Sequence, residues 1–278
     1  MTSTFEQEVK QGDRFEFGEN WKRFLSVLND ERIAEAEKSL KQMLEVEDLQ
    51  GKSFLDIGSG SGLFSLAARR LGAKVYSLDY DPQSVACTQE LKRRYFPDDV
   101  NWTSKQGSVL DVYYLKSLGQ FDIVYSWGVL HHTGAMWQAL ENARLPVADG
   151  GHLFITIYND QGTQSRLWCK VKQTYCSGLV GKTLVLAVFL PYFIFKGLAV
   201  DLVKGKSPVA RYKNYKKSRG MSLVHDWYDW LGGYPFEVAK PEEIFLFYRD
   251  RGFLLQNLST DGGGLGNNQF VFTKPRQC

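Results

Sequence analysis

The sequence is poor in the residues that staple or metallate a small fold. Its four cysteines, Cys87, Cys169, Cys176 and Cys278, form no C-x-x-C pair and show no metal-ligand spacing. A reduced cytoplasm suits them better than a disulfide framework. No metal-binding constellation of His, Cys, Asp and Glu is legible, so no metal is expected. No basic leader followed by an apolar segment opens the chain, so no signal peptide is expected. The apolar run Thr183 to Phe195 holds 13 residues between Lys182 and Lys196, short of the roughly 20 that a membrane-spanning helix needs. Acidic residues are scarce in one region only. From Asp160 to Gly220 there are 12 Lys and Arg against two acids, whereas the remainder carries 22 bases and 29 acids. Such a division implies something anionic to meet at 160–220. With 44% hydrophobic and 23% charged residues, the 278-residue chain suits one large globular domain, or one domain with a substantial insertion.

What is present centres on Phe54-Leu-Asp-Ile-Gly-Ser-Gly-Ser-Gly-Leu-Phe64. A short apolar run meets Gly58, Gly60 and Gly62, and a helical pattern follows to Leu71. Strand, glycine turn and helix bring backbone N–H groups and a helix N-terminus close to a ligand. The next apolar segment, Lys74 to Leu78, ends in Asp79, where an acid can hydrogen-bond both hydroxyls of a ribose. The G-x-G-x-G spacing differs from the G-x-G-x-x-G of dinucleotide binders and favours S-adenosylmethionine over a nicotinamide cofactor.

Asp56 through Gly62, with Asp79, resembles motif I and the acidic ribose position of class I methyltransferases. The resemblance covers 51–160 by motif and 236–274 by element order. It implies an α/β fold: a doubly wound, Rossmann-like seven-stranded sheet with an inserted, mainly helical lid between strands 5 and 6. The expected division is a helical cap over 1–50, a core over 51–160 and 236–278, and a basic, aromatic lid over 161–235. The runs Ser126 to Gly134 and Gly232 to Glu243 are similar to bacterial methyltransferases of the ubiquinone-biosynthesis type, a likeness that fixes no substrate. The cofactor implied is S-adenosylmethionine, held by Asp56, Gly58, Ser59, Gly60, Gly62, Asp79 and Tyr80. Ser108 stands where the family often has an acid for the adenine amino group, and Val109 beside it is assigned to the cofactor as well. Ser126 and Trp127, ending the fourth strand at the switch point, are assigned to the methionine part.

Catalysis is expected of His132, with Tyr158 and Glu237 as competitors for the acceptor proton, because a neutral imidazole accepts a proton near pH 7. His131, Asn159, His225, Tyr228 and Tyr234 are the substrate-side candidates, with Asp226 and Asp229 in the same stretch. Trp21 and Phe24, at helical spacing before the first strand, lie where they line the site or pack; packing is favoured. The stretch His225 to Glu237 reads as a glycine-permitted loop. The acceptor is expected to be a small or lipid-like molecule, with peripheral membrane contact through 160–220 as an option for a cytoplasmic protein. An RNA methyltransferase using that segment, and a binding module without catalysis, are the alternatives. The fourth strand lacks the Asn/Asp-Pro-Pro-Tyr/Phe motif of amino-methylating nucleic-acid enzymes, which disfavours nucleic acid.

Overall fold

In a computed structural model, residues 4–203, 205, 207, 223–262 and 264–276 are described, without the side chains of 223–226 and 229. Seven strands form one sheet: β1 (Ser53–Ile57), β2 (Lys74–Asp79), β3 (Trp102–Gln106), β4 (Phe121–Ser126), β5 (Val147–Tyr158), β6 (Leu254–Ser259) and β7 (Asn267–Thr273). Their order is β3-β2-β1-β4-β5-β7-β6, parallel except for β7, which runs antiparallel to both β5 and β6. The order reverses between β1 and β4, and the crevice of a doubly wound sheet opens at that point.

Alternation along the strands divides the core between the two faces. Leu55 and Ile57 join Val124, Leu153 and Phe270 on one face, under α6 (Val112–Ser117), α7 (Met136–Ala143) and a late helix, Pro241–Arg249. Phe54 joins Ile123, Tyr125 and Phe154 on the other, under α3 (Asp30–Leu44), α4 (Leu63–Arg70) and α5 (Pro82–Tyr95). Caps fix where these helices begin. Asp81 accepts from the Gln83 N–H at 2.8 Å with Pro82 in the first turn, and Asp111 accepts from the Tyr114 N–H at 3.0 Å.

The N-terminal segment holds α1 (Phe5–Gln11), opened by a capping box between Thr4 and Gln7, and α2 (Gly18–Leu25). Asn29 caps α3. One local expectation is corrected. The expected loop at His225 begins instead inside α10 (Leu223–Gly232), because Trp227, Tyr228, Trp230 and Leu231 follow helical spacing, and Tyr228 and Leu231 pack into the lid.

The lid consists of α8 (Thr163–Cys176), α9 (Leu179–Val203) and α10, all between β5 and β6; the helix Pro241–Arg249 is α11. Its own small core joins Tyr175, Val185 and Leu231 to Phe15, Trp168, Phe189 and Phe193. The 13-residue apolar run proves to be the middle of α9, a 25-residue helix. Lys182 and Lys196 do not end it; their ammonium groups lie against the rings of Tyr175 and Tyr192 within the helical pattern. By length and composition alone α9 is enough to cross a membrane, which corrects the expectation drawn from the uncharged run.

Candidate active site

Where β1 ends, the chain turns through Gly58, Gly60 and Gly62 at φ 79°, 53° and 82° and enters α4. Gly58 and Ser59 donate their N–H groups to the Leu78 carbonyl at 2.7 and 3.1 Å, so the turn is tied to β2 as strand pairing stops. The Gly60 N–H donates to Asp79 Oδ2 at 2.8 Å, and the Asp81 N–H to Oδ1 at 2.9 Å. A Cβ at Gly60 would stand 2.9 Å from the indole Cε2 of Trp21, so both the backbone conformation and the close approach require glycine. Ser59 and Thr88 share a hydroxyl hydrogen bond of 3.0 Å beside the turn. Burial pushes the partly open Asp79 carboxyl up to about 6, although the Gly60 and Asp81 N–H groups pull the other way.

Several expected cofactor contacts are spent within the scaffold. Asp56 lies beneath the turn, where its Oδ2 accepts from Ser65 Oγ at 2.5 Å. Ser65 and Ser77 hydroxyls are 2.6 Å apart, and the Trp102 indole donates to Ser77 at 2.9 Å. Burial, and then the charge of Asp79, push Asp56 up to about 7 against the pull of Ser65. Ser126 donates to the Ile57 carbonyl at 2.9 Å and locks β4 to β1. Ser108 accepts from the Leu110 N–H at 3.1 Å, and the buried Val109 offers its carbonyl to Asn142 at 2.9 Å. Trp127 stays exposed, its ring stacked 6.5 Å from Phe64.

A second cluster gathers at the ends of β4 and β5. The rings of His131 and Tyr158 are 4.2 Å apart, His131 and His132 4.5 Å, and His132 and Phe17 5.1 Å. Phe236 and Trp230 close on Tyr158 at 5.2 and 6.3 Å. His132 Nδ1 lies 2.6 Å from the Pro235 carbonyl, which can only accept. The proton is therefore on Nδ1, and Nε2 presents its lone pair. Burial lowers the His132 pKa to about 3, so the ring is neutral at physiological pH. His131 is fully buried, and among the described residues neither ring nitrogen has a partner within hydrogen-bonding geometry. Burial and the neighbouring His132 hold it well below its usual range, offset in part by the Thr156 backbone.

The remaining candidates divide. Both carboxylate oxygens of Glu237 accept the Met136 N–H at 3.1 and 3.0 Å, so this side chain caps the approach to α7; burial raises its pKa. Asn159 faces away, its Nδ2 donating to the Gly264 carbonyl at 3.1 Å and its Oδ1 accepting from Asn268 at 3.2 Å. Tyr234 is half-buried and its carbonyl accepts the Phe15 N–H at 2.8 Å, while Tyr228 packs in the lid core. The side chains of His225, Asp226 and Asp229 lie outside the described residues.

Residues that sequence reasoning did not single out hold the two clusters together. Arg14 pairs with Glu8 at 2.7 Å, donates to the His132 carbonyl at 2.8 Å and lies 5.1 Å from the Tyr80 ring centre. The Tyr80 hydroxyl in turn donates to Glu8 at 3.2 Å, so Tyr80 serves this clasp. The Gly18 N–H donates to Asp81 at 2.7 Å. Lys172, from α8, is buried, donates to the Trp230 carbonyl, and sits 4.5 Å and 5.0 Å from the ring centres of Trp230 and Phe236. The uneven charge of α8 was the only hint, since nothing local marks one lysine among several. Among the described residues, no three His, Cys, Asp or Glu side chains converge as a metal-binding group.

A family model described as a methyltransferase domain matches residues 28–177, more than half of the chain. The chain belongs to the methyltransferase-domain family. Within it, the turn and β2 occupy the places expected of a class I fold. A ribosomal protein L11 methyltransferase of Methylococcus capsulatus is 41% identical over 71 residues, 25% of this chain and 24% of that protein. One from Legionella pneumophila is 55% identical over 47 residues, 16% of each. This chain thus spans less than a third of the length of the curated relatives it matches. Among solved structures, the magnesium protoporphyrin IX methyltransferase of Synechocystis with bound S-adenosylhomocysteine superimposes with TM-score 0.54 at 13% identity. That superposition covers 92% of this chain and 94% of that one. The N-methyltransferase NodS of Bradyrhizobium japonicum gives 0.50 at 13%, over 94% and 100%. These likenesses are of fold.

Proposed function

We propose that the protein is an S-adenosylmethionine-dependent methyltransferase, acting by direct transfer to an O, N or C acceptor on a small, anionic or lipid-like molecule. The observation that carries this reading is the three-glycine turn facing the Asp79 carboxylate at the switch point. The fit is chemical. The Asp79 carboxylate receives the Gly60 and Asp81 N–H groups, with the Tyr80 backbone beside them, and its remaining acceptor capacity suits a ribose hydroxyl, while the turn admits a ligand where a Cβ would intrude. S-Adenosylmethionine supplies, when bound, a methyl group already activated on a sulfonium, so alignment and exclusion of water are the protein's main contribution.

Gly58, Gly60 and Gly62 admit the cofactor, Asp79 holds its ribose, and Asp56 keeps the turn in place from below. His132, with Nδ1–H fixed on Pro235, offers Nε2 to the O–H or N–H of the acceptor. With a pKa near 3 it orients that group as a neutral hydrogen-bond acceptor and is a weak proton sink. Tyr158, Phe17 and Phe236 wall this position against water. The RNA alternative rests on Arg211 to Arg219, which lie outside the described residues, and the intact turn argues against a non-catalytic module.

Calorimetric titration with S-adenosylhomocysteine tests the cofactor, and radiolabelled methyl transfer into fractionated extract of the source cell tests the acceptor class. Binding lost in Asp79→Ala, with label in a small-molecule or organic fraction, is the expected result. Absence of binding removes the reading, and label retained on RNA or on ribosomal protein replaces the acceptor.

A further inference from the structure

The feature that methyl transfer does not use is the outer face of α9. One side of this helix, Gly181, Val185, Phe189 and Phe193, packs into the lid against α8 and α10. The opposite side is open: Leu184 is 60% exposed, Val188 63%, Phe195 70% and Leu202 84%. No charged side chain falls on that side. At 100° per residue, Lys182 and Lys196 sit on the flank turned towards the protein, where their ammonium groups lie 5.4 Å and 5.7 Å from the ring centres of Tyr175 and Tyr192. At 1.5 Å per residue the helix presents an apolar strip about 37 Å long, larger than the scattered apolar residues of an ordinary surface.

We propose that this face docks the protein onto the surface of a bilayer containing anionic lipid, with α9 lying in the plane of the membrane. Charge identifies the occupant. Within residues 161–203 the exposed bases are Arg166, Lys170, Lys182 and Lys196, while Lys172 and the one acid, Asp201, are both buried. The sequence from Lys204 to Arg219 adds seven more bases and no acid. A second copy of this chain on the same face would set one basic segment against another, which opposes a symmetric dimer. Anionic headgroups attract the bases that flank the strip in sequence, and the acyl boundary accepts the apolar strip. The helix does not cross the bilayer, because its inner side remains packed on α8 and α10. The docked face belongs to the lid that carries Lys172 and Trp230 to the histidine cluster, so the acceptor side of the crevice is brought towards the membrane. The inference stands apart from the methyl-transfer reading, because its readout is vesicle binding.

The test is flotation of the full chain with phosphatidylcholine vesicles, with and without phosphatidylglycerol. The expected result is flotation that requires phosphatidylglycerol, weakens in high salt, and falls about ten-fold or more in Val188→Glu and further in Leu184→Glu with Phe195→Glu. These positions are solvent-exposed, and an unchanged thermal transition and unchanged S-adenosylhomocysteine affinity show that the variants fold. Three outcomes overturn the inference: no flotation of the parent protein, flotation indifferent to the glutamates, or a lipid-free dimer in sedimentation that Val188→Glu dissolves. The last assigns the face to a second copy.

Discussion

The two halves of the site are built by different means. The glycine half is made of backbone: Gly58, Ser59 and Gly60 donate to Leu78 and Asp79, all within about two dozen residues of one another. The histidine half is made of side chains from distant segments: Arg14 and Phe17, His131 and His132, Tyr158, Lys172, Trp230 and Pro235. The difference teaches where robustness and selectivity reside. A backbone cradle is indifferent to most neighbouring side chains and serves a constant cofactor, whereas a side-chain wall can be rebuilt for a new acceptor without disturbing the turn.

The halves also titrate in opposite senses. Asp56 and Asp79 are raised to about 7 and about 6. They contribute stability that is fully present below the unfolded carboxyl pKa of about 4 and is lost as pH rises through those values. His132 is lowered to about 3 and His131 is lowered with it. Their contribution is present above the unfolded pKa of about 6.5 and is lost as pH falls towards 3.

The comparison is broken most severely by separating turnover from cofactor binding. His132→Ala is expected to lower methyl transfer about 100-fold, the scale of a misaligned acceptor, with S-adenosylhomocysteine affinity unchanged by calorimetry. Normal turnover removes His132 from the acceptor side. Gly60→Val, placed at positive φ against Trp21, is expected to weaken cofactor binding by about 30-fold or more, from backbone strain and a displaced indole together. If affinity survives, the turn is not the cradle. Asp79→Ala follows at about ten-fold or more, since a hydrogen bond to a charged group contributes about 1.5–3 kcal/mol. In the parent protein, affinity is expected to rise as pH passes upward through about 6, because ribose hydroxyls donate to the ionised carboxylate. A flat profile denies that contact.

The smallest effects sharpen the contrast. Asp56→Asn keeps an oxygen for Ser65 but cannot ionise, so its thermal transition should gain on that of the parent between pH 6 and pH 8, around the pKa of about 7. Equal slopes across that range would contradict the assignment. Arg14→Ala should cost only about three-fold in cofactor affinity, since Arg14 pairs with Glu8 and the carbonyls of His132 and Thr133 rather than with the turn, while loosening the N-terminal helices as seen by hydrogen exchange.

Much of the fold was legible because its signals are local. Apolar strand segments and the turn with Asp79 downstream are each written within a few residues. Through the family resemblance they support, they led to the seven-stranded sheet. The Thr4–Gln7 capping box and the helical spacing of Trp227 to Leu231 were equally local and were overlooked. The site's other half was not legible in the same way. Ser126, Asn159 and Glu237 stand at strand ends or in loops, where function concentrates, yet each is committed to the scaffold by a partner far along the chain.

The sequence by itself determined the sheet, the glycine turn and the uneven charge, because strand period, positive φ and net charge are properties of short stretches. Only the tertiary structure decided which histidine carries its proton on Nδ1, that Lys172 is buried among aromatic rings, and that one side of α9 faces out. Those outcomes depend on burial, and burial is fixed only when segments more than 100 residues apart, such as His132 and Pro235, close on one another.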